Sequence, residues 1–282
     1  MGDCLWKIAD RTIDLSRRGI IMGVLNVTPD SFSDAGEFFS PERAVQHGLN
    51  MVEAGADIID VGGESTRPRA EPVSPEEELR RAIPVIEQLR RKTDVMISID
   101  TSKAAVAEAA IDAGAAVVND VTGGRGDSAM FQLAARHGVG FIVMHMQGTP
   151  QTMQIDPQYG DVVTEVSDFF RQQYACAIEW GVNPMAIAFD PGIGFGKTLR
   201  HNLALLQNVE RLRVEDRPLA MGVSRKSFLA KITQRSDKPS RIGATAALTA
   251  LLWTRGTQIF RVHDVEENAA ALRAAEAVVT TG

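Results

Sequence analysis

Apolar, β-branched runs recur along the chain, and stretches of helical periodicity separate them. The runs predict strands at about 20–26, 57–62, 95–100, 116–119, 140–145, 185–190, 218–224 and 258–263. Runs such as Ile58-Ile59-Asp60-Val61 and Phe141-Ile142-Val143-Met144 are continuous rather than alternating. That pattern suits parallel strands covered on both faces. Between them, Ser74-Pro75-Glu76-Glu77 reads as a capping box with proline at the first helical position. Leu79, Ile83, Ile86 and Leu89 then fall on one helical face. Ser40-Pro41-Glu42 opens another helix, which Gly55 is placed to close. Eight such strand–helix pairs predict an α/β chain folded as a TIM (β/α)8 barrel, with an open doubly wound sheet as the structural alternative. Ahead of the first strand, Trp6, Ile8, Ile13 and Leu15 predict a short hairpin-like segment closing the barrel bottom. Residues 1–282 are read as one domain.

Composition narrows the setting. Hydrophobic content of 44% with 23% charged residues is ordinary for a globular domain. A net charge of −6 argues against a nucleic-acid surface, yet leaves room for a local cationic pocket that binds small anions. Two cysteines, Cys4 and Cys176, imply no disulfide framework and point to a reducing, cytoplasmic setting. The charged N-terminus has no apolar core of signal-peptide length, and no run approaches the roughly 18 apolar residues of a membrane span.

Active sites of TIM barrels are built at the C-terminal strand ends. Here each run ends in polar groups: Asn26, Asp60 with Glu64, Asp100, Asn119 with Asp120, His145, Asp190, Arg225 with Lys226, and Arg261 with His263. Their convergence on one rim predicts a polar pocket. Two motifs fail on inspection. Asp190 to Thr198 looks like a Walker loop, but the required glycine is replaced by Pro191; as a dinucleotide fingerprint it would need glycine at Lys197. A glycine-rich loop remains, able to let backbone approach a ligand closely. Five scattered histidines show no zinc spacing.

Taken in order, eight segments resemble the dihydropteroate synthase family of pterin-binding enzymes. They are Gly23-Val-Leu-Asn-Val-Thr-Pro-Asp-Ser-Phe-Ser-Asp34, Asp60-Val-Gly-Gly-Glu-Ser-Thr-Arg-Pro68, Ser98-Ile-Asp-Thr-Ser-Lys103, Asn119-Asp120, Met144-His-Met-Gln-Gly148, Asp190-Pro-Gly-Ile-Gly-Phe-Gly-Lys197, Ser224-Arg-Lys-Ser227 and Arg261-Val-His-Asp264. The resemblance implies condensation of 6-hydroxymethyl-7,8-dihydropterin pyrophosphate with p-aminobenzoate, releasing pyrophosphate, in folate biosynthesis, and competition by sulfonamides. It implies pterin contacts from Asp100, Asn119, Met144, Asp190 and Lys226. Carboxylates suit the donor edge of that ring, and Met144 its apolar face. Asn26, Arg261 and His263 match the pyrophosphate contacts, with Asn26 also meeting Mg²⁺. Phe32, Thr66, Arg67, Pro68, Phe195 and Ser227 match the p-aminobenzoate pocket. Asp100, Lys226, Arg261 and His263 are the residues expected to carry catalysis. The course implied is dissociative: the leaving pyrophosphate is stabilised, Asp100 supports the cationic pterin methylene, and an already nucleophilic arylamine attacks. A homodimer through late outer helices is also implied.

Three positions depart from the family pattern: Ala35 and Arg69 stand where glycine is common, and Ile193 where phenylalanine is. Two other classes stay open at the level of sequence. A methyltetrahydrofolate-dependent methyltransferase shares the fold and the pterin aspartates, but does not require the first-loop segment or the final Arg261-Val-His263. A catalytically silent pterin-binding paralogue would be favoured by loss of Arg67, Lys226 or His263, all of which are present.

Overall fold

A computed structural model of the chain describes residues 4–28, 40–67 and 70–280. The chain opens with β1 (Leu5–Ile8) and β2 (Arg11–Asp14), an antiparallel hairpin. Strands and helices then alternate: β3 (Ile20–Asn26), α1 (Pro41–Glu53), β4 (Ile58–Gly62), α2 (Pro75–Lys92), β5 (Met96–Asp100), α3 (Ala104–Asp112), β6 (Val117–Asp120), α4 (Met130–His137), β7 (Gly140–Met144) and α5 (Val162–Glu179). There follow β8 (Ile187–Asp190), α6 (Leu199–Gln207), β9 (Ala220–Met221), α7 (Ser227–Thr233), α8 (Lys238–Thr254), β10 (Ile259–Val262) and α9 (Val265–Thr280). Eight strands pair in parallel from β8 back to β3, then to β10 and β9, and a bridge from Phe189 to Leu219 joins the two ends. The sheet therefore closes as the TIM barrel that the pattern predicts.

The continuous apolar runs divide by alternation, because successive strand side chains point to opposite faces. Ile21, Ile59, Ile97, Val118, Phe141, Phe189 and Phe260 pack outward in the core beneath the helices. Their neighbours Ile20, Met22, Ile58, Val117, Ile142, Ala188 and Ile259 form a second cluster inside the barrel, together with Cys4, Trp6, Ile8 and Leu15 of the hairpin. The hairpin thus plugs the lower end. Trp6 is fully buried and its indole Nε1 donates to the Ala186 carbonyl at 2.8 Å.

Local signals mostly hold, with physical reasons where they shift. Ser40 and Ser74 both cap their helices, each with proline in the first turn. At α2 Ser74 Oγ accepts from the Glu77 amide, while the Glu77 carboxylate is taken by Arg80 and Arg81 instead of returning to complete a box. Gly55, at φ +101°, follows α1 as expected. The buried stripe of α2 is Glu78, Ala82, Val85, Ile86 and Leu89, so Leu79 and Ile83 flank it rather than centre it. The strand expected over 185–190 starts later because Asn183 caps a short 3-10 turn, Pro184–Ala186. That expected over 218–224 shrinks to Ala220–Met221, since the chain turns at Val223–Lys226 with Arg225 in the left-handed region at φ +59°.

Candidate active site

Above the apolar floor, the same inward-facing strand positions become polar. Arg261 on β10 is the hub. Its Nε lies 2.6 Å from Asp60 Oδ2 on β4, and its Nη2 lies 2.6 Å from Asp100 Oδ2 on β5. Asn119 on β6 donates from Nδ2 to the same Asp60 oxygen at 3.2 Å. Sheet register sets this geometry: Asp60 pairs beside Ser98, and Asp100 beside Asn119. Across the mouth, Met144 stands beside Asp190. Glycines leave the space between. A Cβ on Gly222 would sit 3.8 Å from both Asp190 Oδ2 and Lys226 Nζ, and one on Gly62 would sit 3.5 Å from Asp100 Cβ and 3.6 Å from Asn26 Oδ1.

The electrostatics favour a ligand rich in donors. Asp60 Oδ1 and Asp100 Oδ1 are buried and have no hydrogen-bond partner among the described residues. Burial pushes the Asp100 carboxyl up to about 7; Arg261 opposes that, while Asp60 and Glu78 add to it. Asp190 is also raised by burial, against the pull of Lys226 and the amide of Gly192. Burial lowers Lys226 to about 8 despite Asp190 nearby. Burial works against the Arg261 charge as well, but Asp60 and Asp100 outweigh it and hold the guanidinium protonated. His263 is pushed down to about 3, first by burial and then by Arg261 and Arg225. It stands neutral at pH 7, its Nδ1 3.1 Å from Ser224 Oγ. His263 therefore brings no charge to this end of the mouth, where Arg261, Arg225 and Arg67 act on it, and it supplies a polar contact.

The loop after β8 forms one wall. Gly192, Gly194 and Gly196 all have positive φ, and a Cβ on Gly192 would lie 2.0 Å from the His145 carbonyl oxygen. Only glycine fits there. The loop's backbone is held at successive points: Gly194 N–H donates to Asn202, Gly194 O accepts from Gln154, and Gly196 O accepts from Tyr159. Lys226 Nζ donates to the Ile193 carbonyl and lies 4.6 Å over the Phe195 ring. Phe195 packs against Val121, Met144, Met146 and Met153, so an apolar patch faces the charged groups.

Of the predicted residues, the structure brings Asp100, Asn119, Met144, Asp190, Lys226 and Arg261 to the mouth, with half-buried Asn26 and His263 beside them. Thr66 and Asp100 line one cleft between the loops that follow β4, β5, β6 and β7. Phe195 belongs to the apolar wall. Arg67 is exposed, and its charge is among those depressing His263. Ser227 is exposed at the first position of α7. Phe32 and Pro68, like the departures Ala35 and Arg69, lie outside the described residues.

Not every polar strand end turns to the mouth. Asp120 caps its own loop, accepting from Thr122 and Gly124. His145 is out of phase with Met144 and packs edge-on against Phe169 of α5 at 4.9 Å. Glu64 pairs with Lys103, and Arg225 with Asp264. Three further groups have a role that the sequence pattern does not reveal. Asp60 stands among the polar strand ends and opens one of the family-like segments, and in three dimensions it is the second carboxylate on Arg261. Lys197 is buried, donating to His145 O and Phe195 O and meeting His145 Nδ1 at 3.0 Å. Glu78 is a fully buried carboxylate on the face of α2 that packs inward.

A closed parallel barrel, with buried carboxylates and cations at its C-terminal mouth beside an apolar wall, defines an enzyme that grips a flat, polar-edged heterocycle and an anion. The chain belongs to the pterin binding enzyme family, which matches residues 22–263. Its relatives are more specific. The dihydropteroate synthase of Synechocystis sp. is 45% identical over 271 residues, covering 96% of this chain and 94% of that protein. Among solved structures, Xanthomonas albilineans dihydropteroate synthase with 4-aminobenzoic acid superposes with a TM-score of 0.92 at 40% identity, over 100% of both chains. Yersinia pestis dihydropteroate synthase in complex with a sulfonamide drug gives 0.91 at 41% identity, over 98% of this chain and 100% of that one.

Proposed function

We infer that this mouth carries out the dihydropteroate synthase reaction, joining p-aminobenzoate to a dihydropterin methylene with loss of pyrophosphate. The observation that carries the reading is the pair of buried, unpartnered carboxylate oxygens, on Asp60 and Asp100, beside Arg261 and Asn119. Buried acceptors without partners are costly, and a ring edge bearing several N–H donors satisfies them. Asp100, Asn119, Asp190 and Lys226 hold that edge, and Met144 lies against the ring face. Asn26, Arg261 and His263 take the pyrophosphate. Phe32, Thr66, Arg67, Pro68, Phe195 and Ser227 form the p-aminobenzoate side.

Breaking the C–O bond to pyrophosphate places positive charge on the pterin methylene and negative charge on the leaving group. The Asp100 carboxylate stabilises the first, and the fixed guanidinium of Arg261 the second. The arylamine nitrogen then attacks, and it loses its proton to solvent or to the departing anion. Positioning supplies much of the acceleration, because the arylamine needs no strong base.

Mg²⁺ fits this arrangement as an ion arriving with the substrate. Among the described residues no group of three or more acidic, histidine or cysteine side chains could hold a metal. Asn26 offers one neutral oxygen, which suits an ion that keeps its waters and binds mainly through phosphates. When bound, the ion supplies charge neutralisation for the pyrophosphate.

The same reading takes residues 1–282 as one pterin-binding domain, cytoplasmic and homodimeric. Cys4 and Cys176 are unpaired, and among the described residues no helix is long and apolar enough to cross a membrane. Leu251 on α8, and Val278 and Val279 on α9, are exposed apolar side chains on the late outer helices that suit a second copy. Light scattering on the purified protein tests that assembly.

The deciding assay mixes protein, dihydropterin pyrophosphate and Mg²⁺ with and without p-aminobenzoate, and follows both pyrophosphate and dihydropteroate. Joint formation of the two products is expected, with a sulfonamide raising the apparent KM for p-aminobenzoate. Tight pterin binding without product would overturn the synthase reading in favour of a silent paralogue.

A further inference from the structure

Lys103 stands three residues beyond Asp100, at the head of α3, and none of the roles above uses it. Its ammonium lies 2.5 Å from Glu64 Oε2 and 2.5 Å from Glu78 Oε2. Glu78 is fully buried, and Lys103 is about one-fifth exposed. The other oxygen of Glu64 accepts from the Val73 amide at 3.2 Å. Next to Glu64, the Gly63 carbonyl accepts from Arg81 Nη1 at 3.0 Å. A Cβ on Gly63 would lie 2.9 Å from Glu78 Cγ and 3.0 Å from the Glu78 carbonyl oxygen, so the chain at Gly63 packs closely on α2. The connection leaving β4 is therefore tied at both of its roots, Gly63–Glu64 and Val73, to α2 and to the start of α3.

Stability is a poor reason for this trio. A lysine shared by two carboxylates leaves one negative charge in excess, and Glu78 Oε1 has no hydrogen-bond partner among the described residues. Taking such groups out of water costs about as much as their attraction returns, and apolar residues of similar volume often serve as well. In some proteins such an ionic cluster serves registry, fixing which elements meet. Here the registry is between the strand end that carries Asp100 and the segment that carries Thr66 and Arg67.

We propose that Lys103 is a positioning residue for the arylamine half of the reaction: it clamps Glu64 against Glu78 and so fixes where Thr66 and Arg67 stand relative to Asp100. This rests on the reading that Thr66 and Arg67 meet p-aminobenzoate. Lys103 touches neither substrate and acts through Glu64. Its substitution should separate the two substrates, leaving the pterin side, built from the ends of β5, β6, β7 and β8 with Lys226, in place.

The test is steady-state kinetics on Lys103→Met, Lys103→Arg and Glu64→Gln, with p-aminobenzoate varied at saturating dihydropterin pyrophosphate and Mg²⁺. Pterin affinity is measured by calorimetry with a pterin lacking the pyrophosphate. Lys103→Met is expected to raise KM for p-aminobenzoate about tenfold, with kcat and pterin affinity little changed. Lys103→Arg should restore most of the loss, and Glu64→Gln should reproduce it in a variant that keeps the amide contact to Val73. A parallel loss of pterin affinity, failure of arginine to rescue, or an unchanged KM in both Lys103→Met and Glu64→Gln would overturn the proposal. Arg67→Ala and Thr66→Ala, run alongside, separate the two levels. If they raise KM for p-aminobenzoate and the Lys103 and Glu64 variants do not, only the positioning role falls. If they too are silent, the assignment of the p-aminobenzoate pocket falls with it.

Discussion

The two ends of the barrel are built from the same eight strands and the same inward-facing stripe, yet they obey opposite rules. At the floor, Ile20, Met22, Ile58, Val117, Ile142 and Ile259 meet Trp6 and Ile8, and the side chains fill the space without a charge. Only a few residues further along those strands, Asp60, Asp100, Asn119, Asp190 and Arg261 are buried or half-buried around space left by glycines. One end gains free energy by excluding water from apolar surface. The other buries charge at a cost and keeps acceptors unpaired. The difference teaches that the floor holds the fold while the mouth is held strained and ready by it, since unpartnered carboxylates persist only in a rigid frame.

The largest effect that could break this comparison is at the floor. Trp6→Ala should cost about 3–5 kcal/mol of stability in urea unfolding, with both KM values unchanged in the protein that remains folded. A shift in either KM would show that the ends are coupled. Next comes Arg261→Met, which should lower kcat by about 10²–10³-fold when rates are normalised to folded protein. A variant that lost only stability would assign Arg261 to the frame instead of the chemistry. Asp190→Asn keeps the shape of the mouth but removes one charged acceptor, and should weaken binding of a pterin by about 1.5–3 kcal/mol, read by calorimetry.

The most diagnostic effect is the response to pH. Asp100, pushed up to about 7, gains a proton and ceases to be a full acceptor below that value, and Asp190 is shifted in the same direction. Lys226, brought down to about 8, loses its charge above it. Affinity for a pterin without phosphates should be greatest between these values, falling roughly tenfold per pH unit on the acid side once Asp100 is protonated. A flat profile from pH 5 to 9 would remove the buried carboxylates from recognition.

Much of the fold was legible because alternation and length leave few choices for continuous apolar runs. The strand from 140 to 144 and that from 96 to 100 fall within a residue of their predicted bounds. The floor hairpin was readable from four apolar residues ahead of the first strand. Less legible were the places where local chemistry overrides pattern. Asn183 capping a turn delayed β8, and the left-handed Arg225 cut β9 short. At the site, the family motifs marked Asp100, Asp190 and Lys226. The ion pairs from Arg261 to Asp60 and Asp100 span 201 and 161 residues and leave no local signature. Glu78 was hidden for another reason: it follows Glu76 and Glu77 in an acidic first turn, where a solvated carboxylate is the ordinary expectation. Its proximity to Lys103 exists only in three dimensions.

The seating of Trp6 against Ala186 has a consequence for how the molecule is born. The indole is made before its acceptor, which follows 180 residues later. At about 5–20 residues per second the plug therefore waits roughly 10–40 s before its pocket exists. Until then a large apolar side chain is left without its pocket on the nascent chain, open to chaperones and to wrong partners. Sealing the base is thereby made one of the later events of assembly, and conditions that slow translation lengthen the interval in which the open barrel can aggregate.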